Sequence, residues 1–170
     1  MSKICNKTQS KGNIFATTMN RRSMFAGSAA LVSTCFLTIP AFAKKPTVYT
    51  GIVRGTGAGG YDVVAYFKSG KAVKGTSKFK TKYKGATWRF SSADNLAAFK
   101  ASPARFAPAF GGYCAWAVSQ GYTAKGDPRH WSIVGGKLYL NYNAGIKSKW
   151  KQNAASNIQK GRANWPSVLN

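Results

Sequence analysis

Downstream of residue 43, Cys114 and His130 are the only soft metal-binding or nucleophilic side chains, each present once, and Asp127 lies three residues before the histidine. As ligands these three suit a transition metal in an open site completed by water or a tyrosine, because a closed structural site takes four protein donors. As a pair, cysteine and histidine are the minimum for a thiol nucleophile with its base. Cys114 follows Gly111-Gly112 and is expected in the first turn of a helix from Tyr113 to Ser119, where amide dipoles would lower its pKa. His130 is expected just past an Asp127-Pro128 turn. Blander roles compete with both. A cysteine between Tyr113 and Ala115-Trp116 also suits a small core position, and a single histidine after a turn often serves only as a surface hydrogen-bonding group.

Carboxylate chemistry has little to work with. Asp62, Asp94 and Asp127 are the only acids among 170 residues, glutamate is absent, and 26 Lys+Arg give a net charge of +23. Two-carboxylate glycoside hydrolysis and carboxylate-held magnesium chemistry are thereby disfavoured. The cations themselves form a pattern: Lys78, Lys80, Lys82 and Lys84 alternate with Phe79, Thr81 and Tyr83. On a strand this places four ammonium groups on one side, about 6.6 Å apart. Such a row can bind a polyanion, or it can simply keep an exposed edge strand from pairing with another chain.

Residues 1–43 read as a targeting segment to be set aside before any fold is considered. Arg21-Arg22 precedes Met24-Phe25, a mildly apolar run diluted by Gly27, Ser28, Ser33 and Thr34 leads to Pro40, and Ala41-Phe42-Ala43 supplies a small-x-small site. The order resembles a twin-arginine export signal cleaved after Ala43, with an uncleaved membrane anchor as the alternative. Cleavage removes five basic residues and no acids, so the net charge falls from +23 to +18. It also removes Cys5, Cys35 and all three methionines, leaving Cys114 without an internal disulfide partner. The expected location is the periplasm or another exported compartment, reached through the twin-arginine machinery. Anionic envelope polymers and lipid head groups are the anions met there, and nucleic acid falls behind them as a partner.

The elements that must position these residues follow from pattern. Residues 44–60 are glycine-rich and read as a flexible lead-in, and the folded body is expected over 61–166. Asp62 can cap a short helix at Val63–Phe67 that ends at Ser69-Gly70. Residues 78–90 read as a β-hairpin turning at Gly85. Ser91 or Ser92 caps a helix to about Ala101, and Pro103 opens another short one around Phe106. Ile146, Trp150, Ala154 and Ile158 mark one stripe of a C-terminal amphipathic helix over Ala144–Ala163. The five tryptophans read chiefly as core. Gly55-x-Gly57-x-Gly59-Gly60 lacks the setting of a phosphate loop. No internal repeat is visible.

Tyr83-x-Gly85 followed by Phe90, Phe99, Pro103 and Phe106 resembles the YHS domain, a small treble-clef-like module. Similarity to its exported branch extends through Tyr61-Asp62-Val63-Val64-Ala65-Tyr66-Phe67, Gly111-Gly112-Tyr113-Cys114, Gly136–Tyr142 and Asn164-Trp165-Pro166. The resemblance implies an α+β fold, a β-hairpin plus short helices closed by the C-terminal helix. It also implies that the family's metal-binding cysteines fall at Ala65, Ser91 and Asn95, none of which is a soft ligand. We therefore read the chain as an exported, non-enzymatic binding or accessory module for a metal ion or metal-bearing group near Cys114 and His130. The alternatives are a basic surface protein docking on envelope anions and, third, a thiol enzyme using Cys114.

Overall fold

The computed structural model describes residues 43–170. Arg21-Arg22 and the rest of the expected export signal through Phe42 lie outside the described residues. Among the described residues no helix is long and apolar enough to cross a membrane.

The first half of the body is built around one hairpin. A tight knot at Gly57–Gly60 leads into α1 (Ala65–Lys68), and Thr76–Tyr83 (β1) pairs antiparallel with Ala86–Phe90 (β2). The strands reverse at Lys84-Gly85, both at positive φ, a backbone twist that matches that of the flanking strands. Ser92 then caps α2 (Ala93–Ala101), its Oγ accepting from Asn95 N at 3.2 Å, and Pro103 opens α3 (Pro103–Phe106) in the position where a missing N–H costs nothing. Phe99 of α2 packs in the middle, its ring 5.0 Å from Phe90 and 5.5 Å from Trp88.

The second half repeats this plan. A knot at Ala109–Gly112 precedes α4 (Ala115–Ser119), β3 (Asp127–Val134) pairs antiparallel with β4 (Lys137–Asn141), and Asn143 caps α5 (Ala144–Gln152), accepting from Ile146 N at 2.8 Å. Each strand pairing recurs 51 residues on: Tyr83↔Ala86 becomes Val134↔Lys137, and the irregularity between Thr76 and Lys80 recurs between Asp127 and Trp131. Both knots pass through three consecutive left-handed residues, with φ of 48, 58 and 82° at Ala58-Gly59-Gly60 and 54, 61 and 85° at Phe110-Gly111-Gly112. Ring contacts repeat as well. Trp88 lies 5.5 Å from Phe99 at a 31° tilt, and Tyr139 lies 5.1 Å from Trp150 at 36°. The body is thus a tandem of two hairpin-and-helix units, contrary to the absence of a repeat at the level of sequence. The roles are shared while the residues differ, and the offset is 52 residues at the knots but 51 at the strands.

Two further expectations change. Residues 44–60 are no loose lead-in: Lys45 N donates to Leu169 O at 2.8 Å, Tyr49 N to Gly111 O at 2.9 Å, and Val48 and Ala58 are buried. With only a modest core, each unit recruits this segment to cover apolar surface. The C-terminal stripe is carried by two helices, because Asn153 (φ −133°, ψ 50°) breaks the run between α5 and α6 (Ala154–Asn164). Trp150 and Ile158 still face inward from either side of the break. The two cores are contiguous in chemistry but distinct in membership: Phe90, Phe99, Trp88 and Tyr66 centre one, and Trp150, Tyr139, Val118 and Leu169 centre the other. Leu138 and Leu140 of β4 belong to the first, stitching the second unit's sheet to the first unit's core.

Candidate functional site

Cys114 is buried, 1% exposed, and sits immediately before α4 rather than within its first turn. Its backbone N–H donates to Ala124 O at 2.9 Å, and its thiol points at Asn141 Oδ1, 3.8 Å away. Burial pushes the thiol's pKa up, outweighing nearby backbone hydrogen bonds that act the other way. A helix of five residues offers little dipole, so the expected activation does not arise. Asp127 is occupied by Arg129, which donates from its backbone N (2.9 Å), Nε (3.0 Å) and a terminal nitrogen (2.7 Å). The Arg129 hydrogen bonds hold that carboxyl below the usual aspartate range. His130 is half-buried within β3, and Asp127 and Pro128 belong to that same strand rather than to a turn before it. Among the described residues no group of three or more His, Cys, Asp or Glu is arranged to hold a metal ion.

The positions that resemblance assigned to the family's cysteines do come together, around a carboxylate. Asp62 is fully buried, and Oδ1 accepts from Val64 N at 2.9 Å and Ala65 N at 3.2 Å. Oδ2 accepts from Ser91 N at 2.8 Å, Ser91 Oγ at 2.6 Å and Asn95 Nδ2 at 2.7 Å. Ala65, Ser91 and Asn95 therefore converge on one acid that fills its acceptor capacity with protein donors. Such a carboxylate has no lone pair left to take a proton from a substrate. It fixes α1, the end of β2 and the start of α2 relative to one another. The local half of this arrangement is readable from Asp62 two and three residues ahead of its backbone partners, but the partners 29 and 33 residues away are not.

The lysine row is exposed at Lys78, Lys80 and Lys82, with Phe79, Thr81 and Tyr83 half-buried between them. Lys84 departs from the row, since β1 ends at Tyr83 and Lys84 occupies the turn. Lys80 stands opposite Arg89 across the hairpin, a like-charge pair of the kind that weakens a sheet unless an anion relieves it. Asp127–Arg129 is the one ion pair among the described residues.

Sequence reasoning missed a cleft of about 720 Å³. Its walls come from Thr47 and Val48, the first hairpin at Tyr83, Lys84 and Trp88, the segment around Phe110, β4 at Lys137 and Tyr139, and the end of α6 at Arg162 and Trp165. Trp88 and Tyr139 hold equivalent places in the two units, so the cleft lies along the seam of the tandem. No acid lines it, and Lys84, Lys137 and Arg162 do. Five separate stretches of chain contribute, and no local spacing marks them as a set.

The YHS domain family model matches residues 64–110, from the start of α1 to the opening of the second knot; the first knot and Asp62 lie outside the match. No curated protein and no solved structure matches the chain.

Proposed function

Starting from a chain that carries a YHS domain in its first unit, we propose that it is an exported, non-enzymatic binding module whose cationic surface docks on anionic envelope polymers or lipid head groups. The observation that carries this reading is the lack of internal compensation: Lys78, Lys80 and Lys82 stand exposed in a row, Lys80 faces Arg89, and one ion pair serves all the described residues. A protein arranged this way is stabilised by an external anion, each basic residue near an anionic surface contributing on the order of 1 kcal/mol. Passage through the twin-arginine machinery and release beyond the cytoplasmic membrane complete the picture. The family is often linked to metal handling, but here Ser91 and Asn95 are engaged with Asp62, and the buried Cys114 argues against a thiol enzyme.

The test is co-sedimentation with vesicles of phosphatidylglycerol and phosphatidylcholine between 50 and 300 mM salt. Binding should rise with the anionic fraction, fall steeply with salt, and weaken by at least tenfold in a Lys78→Gln, Lys80→Gln, Lys82→Gln variant. Equal binding to neutral vesicles, or indifference to salt, would refute it.

A further inference from the structure

We propose that the seam cleft is a further binding site, separate from the lysine row, and that it takes a single amphiphilic organic anion: a carboxylate or phosphate head held by Lys137 and Arg162, with an apolar body lying between the two units. It goes beyond surface docking, since it concerns one small molecule per chain rather than a polymer or a bilayer.

The volume, about 720 Å³, falls within the range of small-molecule sites, roughly 300 to 1,000 Å³. Its composition fits that class too, with predominantly apolar walls and a few charged groups. Trp88, Phe110 and Tyr139 are nearly or fully buried and form a rigid aromatic backing to the cleft, and Trp165 is half-buried beside them. Each of these rings is packed against another: Trp88 against Phe99, Phe110 against Tyr139 and Trp165, and Tyr139 against Trp150. The wall is therefore preformed and does not need a ligand to order it.

Charge selects the head group. Three cationic side chains and no carboxylate line the cleft, so a cationic or zwitterionic head gains nothing there. Lys137 is also positioned: its Nζ donates to Ala104 O at 2.8 Å, which holds the ammonium in place and leaves two further donors for a ligand oxygen. Arg162 is exposed on the last turn of α6 and offers the planar fork that matches carboxylate and phosphate oxygens. An apolar body alone would lack a reason for these cations. A bare inorganic anion would leave the apolar lining around Ala107, Trp165 and Pro166 uncovered.

Isothermal titration of the full-length protein with decanoate, decyl phosphate, decyltrimethylammonium and acetate, each below its micelle-forming concentration, tests the site. Saturable binding of decanoate or decyl phosphate at one per chain is expected, with decyltrimethylammonium and acetate at least tenfold weaker; which of the two anions binds tighter identifies the head. Lys137→Gln with Arg162→Gln should lose at least tenfold, as should Arg162→Glu, whose exposed position keeps folding out of the comparison. The Lys78→Gln, Lys80→Gln, Lys82→Gln variant should bind decanoate within twofold of the parent even where vesicle binding is lost, which separates this site from surface docking. Equal binding of the cationic amphiphile, unchanged affinity in both cleft variants, loss in the lysine-row variant, or no binding of either anion would overturn the proposal.

Discussion

Asn95 donates to Asp62 at 2.7 Å across 33 residues of chain, and that bond closes a buried node built around a single carboxylate. The same carboxylate takes two backbone N–H groups from the start of α1 and both the N–H and the hydroxyl of Ser91. No cation balances it within the node, so its stability rests on hydrogen-bond donors alone. The node acts as a fixed internal clamp, tying the start of α1, the end of β2 and the start of α2 to one carboxylate.

Asp62→Asn should therefore be strongly destabilising although it is nearly isosteric. Whichever way the amide turns, its NH₂ faces at least two donors that previously met an oxygen. Leaving two buried donors unsatisfied at about 1–3 kcal/mol each predicts a loss of roughly 2–6 kcal/mol. Urea denaturation of parent and variant measures it, and a loss under about 1 kcal/mol would show that Ser91 and Asn95 find other partners.

The tandem makes a paired prediction. Ser92 and Asn143 cap helices of nine residues in equivalent places, each side-chain oxygen accepting from the N–H three residues on. Ser92→Ala and Asn143→Ala should each cost about 1 kcal/mol, and the double variant about the sum, since the caps share no partner. Denaturation midpoints of the three proteins decide it. A large difference between the single variants would mean that the two units do not use their caps alike.

Much of the first unit was legible because its signals are local. Alternation over Lys78–Tyr83 marks β1, Ser92 and Pro103 mark helix starts, and Gly85 marks the turn, each where those patterns place it, while Lys84 leaves the alternation for the turn. The second unit was harder to read as a copy because Phe99 is matched by Trp150, Trp88 by Tyr139 and Ser92 by Asn143, which keeps shape and capping while erasing identity. Asn153 shows a different limit: a stripe at four-residue spacing survives a break that redirects the helix. The cleft was invisible for a third reason. Lys84, Lys137 and Arg162 share it only through the tertiary arrangement of the two units.

Asp127 offers a pH-dependent test. Its hydrogen bonds from Arg129 depress the folded pKa. A depressed carboxyl contributes stability that is present above its unfolded pKa and is lost as pH falls through the folded value. The Asp127 carboxyl carbon, followed by NMR, should titrate below the ordinary aspartate range, and Arg129→Ala should move it upward. An unmoved midpoint in Arg129→Ala would mean that the guanidinium does not hold the carboxylate in solution.

Cys114 supplies the decisive check on thiol chemistry. Burial raises its folded pKa above that of a free thiol, so the native protein keeps it protonated at neutral pH and screened from solvent. In linkage terms, the contribution of this protonated thiol is complete below the unfolded pKa and is lost as pH rises toward the raised folded value. Native protein should thus react with a maleimide at pH 7 at least a hundredfold more slowly than a free cysteine, and unfolding in urea should restore the rate. Cys114→Ser should leave anion binding by the cleft unchanged, because Cys114 does not line it. Rapid labelling of the folded protein would place the thiol at the surface and reopen a nucleophilic role for it.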